Sequence, residues 1–149
     1  MKRGHHSHCP IAFALDIFGD HWSLLILRDL IFKDKNRYKD FLESEEGIST
    51  NILADRLGRL EARGLISKQD DPTSKKQFLY SPTEKGLELI PVMLEIIRWS
   101  AKHDPKTAAP KEFIDRLKND AKGLESEIKR QFSRKDPSRS RHRSQEANE

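Results

Sequence analysis

The stretch from Gly47 to Ile66, Gly-Ile-Ser-Thr-Asn-Ile-Leu-Ala-Asp-Arg-Leu-Gly-Arg-Leu-Glu-Ala-Arg-Gly-Leu-Ile, decides the fold of this chain. Ser49 is a residue type that caps helices, because its hydroxyl can accept a hydrogen bond from an unpaired first-turn N–H. Apolar residues then recur at helical spacing, and Gly64 suits the left-handed turn that ends a helix. The apolar positions are Ile48, Ile52, Leu53, Leu57 and Leu60. The stretch therefore predicts an amphipathic helix from Ser49 to Arg63.

A short hairpin is predicted directly after this helix. Leu65–Gln69 and Gln77–Ser81 contain the β-branched and aromatic residues that favour strands. The Asp-Asp-Pro-Thr-Ser run between them, at 70–74, is rich in turn-forming residues. A helix followed at once by a hairpin is typical of a winged helix-turn-helix.

The residues before the Ser49 helix predict three more helices. Pro10–Phe18 has a proline suited to a first helical turn and apolar residues at helical spacing. Asp20 can cap a second helix, which extends to Leu30. This helix is apolar over most of its surface, which predicts that it lies at the centre of the core. Tyr38–Ser44 predicts a short helix that completes a helix-turn-helix with the Ser49 helix.

The overall prediction is a mainly α fold with a small β-hairpin wing. After the hairpin, Thr83 can cap another helix, in which Pro91 predicts a kink or a break. The predicted organisation is a flexible N-terminus at 1–8, a winged helix-turn-helix domain at 9–103, a linker at 104–110, an amphipathic helix at 111–132 and a disordered basic and polar tail at 133–149.

Composition narrows the class of protein without identifying it. The 28 basic and 24 acidic residues give a net charge of +4, which permits a polyanionic partner but does not require one. No apolar run approaches the ~18 residues of a membrane-spanning helix, and the first 30 residues lack the order of a signal peptide. The cytoplasm is the expected location, and no membrane partner is predicted. Cys9 is the one cysteine, so no disulfide can form within the chain.

Several stretches together resemble the HxlR-type family of winged-helix transcriptional regulators, which are relatives of the MarR-like group. The similarity covers roughly residues 9–101. It is carried by Cys9-Pro10, Leu15-Asp16, the run Gly-Asp-His-Trp-Ser-Leu-Leu-Ile-Leu-Arg-Asp-Leu at 19–30, Gly47–Ile66, and the run Tyr-Ser-Pro-Thr-Glu-Lys-Gly at 80–86. His21, Gly58 and Ser81 depart from the usual residues of the family.

The resemblance implies a homodimer that binds a pseudo-palindromic operator in double-stranded DNA. In that family the first helix and the helix after the wing form the dimer, which here would be Pro10–Phe18 and Thr83–Lys102. Some members sense electrophiles or oxidants through an N-terminal cysteine, which would be Cys9. A small-molecule or electrophile effector is a candidate partner on the same ground.

The predicted DNA contacts follow from the polar face of the Ser49 helix and from the wing. Arg56 is the main long-side-chain candidate for reading a base, and residues near the helix start would reach base edges or phosphates. The full set is Arg37, Ser49, Thr50, Asn51, Arg56, Arg59, Arg63, Lys75, Lys76 and Gln77, of which Arg37, Arg59, Arg63 and the three wing residues would mainly hold phosphates. The alternative is a winged-helix protein-interaction module without DNA binding, with Arg56 or Arg63 paired to nearby acids such as Asp55 or Glu61.

Cys9 is the candidate redox sensor. It precedes a predicted helix start, where the positive end of the helix dipole favours the thiolate form, although an unreactive thiol at a dimer contact fits equally. His5, His6, His8 and Cys9 are metal-ligand types, but their crowding on a polar terminus does not predict a metal site. No catalytic constellation or nucleotide fingerprint is present, so no enzyme activity and no cofactor are predicted.

Overall fold

The computed structural model describes residues 7–135, and within that range it consists of eight helices and one antiparallel hairpin. The elements are α1 Pro10–Phe18, α2 Ser23–Phe32, α3 Tyr38–Leu42, α4 Thr50–Ala62, β1 Ile66–Asp71, β2 Ser74–Pro82, α5 Glu84–Leu87, α6 Ile90–His103, α7 Lys111–Asn119 and α8 Ala121–Lys135. The mainly helical fold with a hairpin wing is confirmed. Most of the segments predicted as a flexible N-terminus and a disordered tail lie outside the described residues.

The chain divides into two compact units between Leu87 and Glu88. In the first unit α2 lies at the centre, as its apolar surface predicts, and contacts α1, α4 and β2. Leu27 in this helix is fully buried. The buried apolar residues of this unit are Ile26, Leu27, Leu30, Ile31, Phe41, Ile48, Leu53, Leu57, Leu60, Leu65, Ile66, Tyr80 and Leu87.

A buried carboxylate joins α2 to the turn of the helix-turn-helix. The side chain of Asp29 is almost fully buried, and it accepts hydrogen bonds from Arg28 Nε at 2.9 Å and from the Ser44 hydroxyl. Arg28 also donates to Glu46, with Nη2 2.9 Å from Oε2. Because a buried charge is costly without partners, these bonds hold the α3–α4 turn in one place against α2.

Both ends of α4 have the caps that the sequence predicts. The Ser49 hydroxyl accepts a hydrogen bond from the Ile52 N–H at 3.3 Å, and Gly64 has a φ of +76°. The segment after the wing then closes the C-terminal end of α4. The Thr83 hydroxyl donates to the Gly64 carbonyl at 2.5 Å, and Lys85 Nζ donates to the Arg63 carbonyl at 2.8 Å.

Two glycines mark places where backbone segments touch. A Cβ atom on Gly19 would lie 2.3 Å from the Leu15 carbonyl oxygen, and one on Gly86 would lie 2.1 Å from the Leu65 carbonyl oxygen. Real Cβ atoms do not approach an oxygen this closely, so larger residues would displace the backbone at both positions. The turn from α1 to α2 and the packing of α5 against Leu65, which follows α4, therefore both require glycine.

Helix α1 leaves three large apolar side chains exposed. It has no buried residue, and Phe13 is 63% exposed, with Ile11 and Leu15 also exposed. It meets α2 at a bend of 78°. Among the described residues no single helix is long and apolar enough to cross a membrane, and α1 with α2 reach that length only across this bend.

The second unit contains α6, α7 and α8, which contact one another. Pro91 lies in the first turn of α6, so the predicted break in the post-wing helix is confirmed. The stripe predicted as one helix over 111–132 is divided into α7 and α8 at Asp120. The Asp120 backbone leaves the helical region, with φ −151° and ψ 62°, and its carboxylate accepts the Gly123 N–H at 3.1 Å. That bond caps α8, and it explains why a second helix begins here.

The Arg28–Glu46 pair predicts a specific acid sensitivity. The hydrogen bond from Arg28 lowers the pKa of Glu46 to about 2, so the folded state favours the ionised carboxyl. The contribution of this pair to the free energy of unfolding is complete above the ordinary glutamate pKa of about 4.5, and it is lost as pH falls from about 4.5 towards 2. We expect the free energy of unfolding of Glu46→Gln to fall less steeply than that of the wild type over this range, measured by urea titration. The exposed Glu43→Gln variant should follow the wild type, and equal slopes for all three proteins would contradict the prediction.

Candidate nucleic-acid interface

The start of α4 presents a row of short polar side chains. Ser49, Thr50 and Asn51 are all exposed, as expected for residues predicted to reach base edges. The Tyr38 hydroxyl donates to the Thr50 carbonyl at 2.8 Å, which ties the start of α3 to the start of α4. The beginning of the recognition helix is therefore fixed by its neighbours while its side chains remain available.

Arg56 is engaged in ion pairs. Its Nε lies 2.9 Å from Asp20 Oδ2, and a second nitrogen bonds Asp55, so the side chain is only 20% exposed. The sequence left open a pairing of Arg56 with Asp55, whereas it predicted Asp20 only as a helix cap. Asp20 both caps α2 and pairs with Arg56, because its carboxylate also accepts the Trp22 N–H. The sequence carries no local signal for the Arg56–Asp20 pair, since the two residues belong to separate helical segments.

The two arginines towards the end of α4 are more accessible. Arg59 Nε lies 3.0 Å from Asp55 Oδ2, but its side chain is 68% exposed and can reach a further partner. Arg63 is exposed, and none of the described residues forms an ion pair with it. This end of the helix can therefore present positive charge to an anion.

The base of the wing is held by a buried carboxylate. Asp71 is buried and accepts the Thr73 N–H at 2.9 Å, the Thr73 hydroxyl at 2.7 Å and Arg37 Nε at 2.9 Å. The hydrogen bond from Arg37, followed by those from Thr73, lowers the pKa of Asp71 to about 2. Arg37, predicted as a phosphate contact, thus fastens the start of α3 to the hairpin turn.

The three wing residues predicted to contact DNA lie in an irregular part of the hairpin. Asp71 pairs with Ser74 and Asp70 pairs with Phe78, so residues 75–77 fall between paired positions of the ladder. Lys75, Lys76 and Gln77 are exposed. Lys76 and Gln77 also line a cleft of about 380 Å³, with Arg37, Tyr38, Lys39, Phe78 and Tyr80 as its other lining residues. The structure therefore brings Lys76 next to the start of α3.

The charges of this surface are only partly neutralised. Arg37, Arg56 and Arg59 each have an acidic partner. Within the described part of the chain, no ion pair involves Arg63, Lys39, Lys75 or Lys76. The remaining positive charge therefore lies at the end of α4, at the start of α3 and on the wing.

Cys9 is exposed at the N-cap position of α1. Its carbonyl accepts the Phe13 N–H at 2.9 Å, and its own N–H donates to the Ser7 hydroxyl at 3.3 Å. The thiol is therefore positioned at a helix start, as predicted. Across residues 7–135 no group of three or more histidine, cysteine or acidic side chains is arranged to hold a metal ion, and His5 and His6 lie outside that range.

Comparison with known proteins identifies a family that this chain matches. The model of the HxlR-like helix-turn-helix family matches residues 17–108. The HTH-type transcriptional regulator sll1512 of Synechocystis is 37% identical over 86 residues, which is 58% of this chain and 63% of that protein. This chain therefore matches less than two thirds of the length of sll1512.

Two solved structures are similar to this chain. PA1607, described as a candidate transcription factor, matches with a TM-score of 0.63 and 34% identity over 70% of this chain and 73% of that one. The reduced form of the transcriptional regulator YodB from Bacillus subtilis matches with a TM-score of 0.54 and 30% identity, over 66% of this chain and 97% of that one.

The family match covers the helix-turn-helix, the wing and α6, and it agrees with the exposed α4 face described above. The family and these relatives are transcriptional regulators and not enzymes. Helix-turn-helix regulators bind DNA and typically act as dimers. This chain belongs to the HxlR-like helix-turn-helix family and is a transcriptional regulator of the helix-turn-helix type.

Proposed function

We propose that this protein is a sequence-specific DNA-binding regulator that acts as a homodimer on a pseudo-palindromic operator. The observation that carries the proposal is the exposed start of α4 beside unneutralised positive charge on the wing. Two copies of α4 separated by about one turn of DNA, ~34 Å, would each enter the major groove of one half-site.

The contacts divide by side-chain chemistry. Ser49, Thr50 and Asn51 are short and exposed, and Asn51 can form a bidentate pair with adenine if it faces the groove. The longer cations at the end of α4 and on the wing hold phosphates and set the register. We assign this second role to Arg59, Arg63, Lys75 and Lys76, with Gln77 as a neutral donor beside them. Arg37 supports the wing through Asp71 and has its remaining N–H groups for a phosphate.

Two substitutions separate these roles. A labelled duplex is first selected by the wild type from a random library, and affinities are then measured by gel shift at several salt concentrations. We expect Lys76→Ala to weaken all sequences about equally and to reduce the salt slope by about 1. Asn51→Ala should instead cost about 1–3 kcal/mol and relax selectivity at one base pair of each half-site. A wild type that selects no sequence and shows no salt dependence would refute DNA recognition.

The proposed dimer rests on exposed apolar surface in each unit. In the first unit α1 exposes Phe13 together with Ile11 and Leu15, and in the second unit α6 exposes Val92, Ile96 and Trp99. Trp99 is 65% exposed. Contiguous exposed apolar residues are typical of surfaces that a partner covers, and a second copy of this chain would cover both helices.

Charge placed on α1 should separate the subunits. We expect Phe13→Glu to shift the protein from dimer to monomer in sedimentation equilibrium, because an unpaired carboxylate in an apolar interface is costly. Phe78→Glu makes the same change at an exposed phenylalanine of the wing and should remain a dimer. If Phe13→Glu dimerises as strongly as the wild type, α1 is not part of the dimer interface.

We also propose that Cys9 is a thiol switch. YodB has solved structures in reduced, quinone-bound and diamide-treated forms, so this relative has been studied with such reagents. In this chain the exposed thiol at the start of α1 is accessible to them. With one cysteine per chain, diamide would take two electrons and two protons from two Cys9 thiols, and a disulfide would join the subunits.

The switch is tested by one substitution. We expect diamide or a quinone to change operator binding by the wild type, whereas Cys9→Ser binds with unchanged affinity and no longer responds. Non-reducing electrophoresis should show a linked dimer only for the diamide-treated wild type. A response retained by Cys9→Ser would exclude this residue from regulation.

The second candidate function is a winged-helix protein-interaction module without DNA binding. It is favoured by the acidic partners of Arg37, Arg56 and Arg59, which remove part of the positive charge from the recognition surface. The library selection described above distinguishes the two, because an interaction module would not enrich any DNA sequence.

A further inference from the structure

One carboxylate, that of Asp20, joins two helices of the first unit, α2 and α4. Asp20 Oδ2 accepts the Trp22 N–H at 2.9 Å, the Ser23 N–H at 3.0 Å and Arg56 Nε at 2.9 Å. Its other oxygen accepts the Ser23 hydroxyl. Asp20 therefore caps the start of α2 and, with the same carboxylate, holds a side chain from the middle of α4.

The position of Asp20 is fixed from the other side by the end of α1. Gly19, directly before it, donates its N–H to the Leu15 carbonyl at 2.8 Å and ends α1. Because a Cβ on Gly19 would lie 2.3 Å from the same oxygen, this turn is tightly packed. A displacement of the end of α1 would thus move Asp20, which is the partner of Arg56.

Asp20 and Arg56 are both charged at neutral pH. Partial burial by itself raises the pKa of Asp20, but the hydrogen bonds from Ser23, Arg56 and the Trp22 backbone outweigh it and lower the pKa to about 2. The two side chains are partly screened from solvent, at 26% and 20% exposed. On the far side of Arg56, Asp55 bonds it and also pairs with Arg59.

We infer that Arg56 is a positioning residue, which acts on operator binding by holding α4 against the α1–α2 turn through Asp20 rather than by contacting a base. The inference rests on the proposed DNA recognition and specifies how the recognition helix is held for it. Arg56 Nε is bonded to Asp20 and another guanidinium nitrogen to Asp55, and the side chain is only 20% exposed. Carboxylates therefore hold the guanidinium from two sides, which favours a structural role over a base contact.

The test uses Asp20→Asn, Arg56→Gln, Arg56→Lys and the Asp20→Asn/Arg56→Gln double variant in the full chain. Asparagine is as good a helix cap as aspartate, so the amide oxygen of Asp20→Asn can keep the cap of α2. The substitution removes the charge and replaces the oxygen that accepts the Ser23 hydroxyl with an NH2 group. Glu43→Gln is the matched control, because it changes the net charge equally at an exposed site. The probes are the duplex that the wild type selects from a random library and an unselected duplex of equal length.

If Arg56 positions α4, Asp20→Asn and Arg56→Gln should each weaken binding to the selected duplex by roughly tenfold, and the double variant should be no weaker, because both changes break one interaction. Affinity for the unselected duplex and the preferred base at every position should stay unchanged. Arg56→Lys keeps the charge and should recover part of the loss, and Glu43→Gln should bind like the wild type.

If Arg56 reads a base, Asp20→Asn only loosens the hold on its guanidinium, so affinity stays the same or increases, while Arg56→Gln changes the preferred base at one position. Either result overturns the inference while leaving DNA recognition intact. A loss that disappears after correction for the folded fraction, measured by thermal unfolding, also overturns it. A wild type that selects no sequence refutes the proposed function itself, and the inference with it.

Discussion

The first unit depends on the need to satisfy the buried charge of Asp29. A carboxylate taken out of water must find donors, and here they come from the neighbouring Arg28 and from Ser44 in the turn before α4. The apolar contacts of α2 favour many similar packings, because dispersion and burial are not directional. The hydrogen bonds to Asp29 select one of them, and they thereby determine where the recognition helix begins.

The basic residues of the protein fall into two groups with different roles. Three arginines form ion pairs that join separate segments: Arg28 with the turn before α4, Arg37 with the wing and Arg56 with the α1–α2 turn. The lysines at the wing tip, Lys75 and Lys76, have no such pairs among the described residues. A planar guanidinium suits fixed, directional bonds, whereas a flexible ammonium suits the diffuse field of phosphates. Counting positive charge in the sequence could not separate the two groups.

The features that the sequence predicts correctly are local ones. The cap by Ser49, the left-handed Gly64 and the break at Pro91 depend on residues within a few positions of each other. The partner of Arg56 could not be predicted, because periodicity places a side chain on a helix face but does not say which segment packs there. The division at Asp120 was missed for another reason, since the apolar stripe continues through it while the backbone does not.

The close backbone contacts at Gly19 and Gly86 have a consequence for genetics. Neither glycine has a side chain that could contact DNA, yet a side chain at either position would displace the α1–α2 turn or the segment that closes the end of α4. A screen for loss of regulation would therefore recover substitutions at these glycines together with those on the recognition surface. Mapped onto the sequence alone, such alleles would outline a DNA-binding site larger than the one the molecule has.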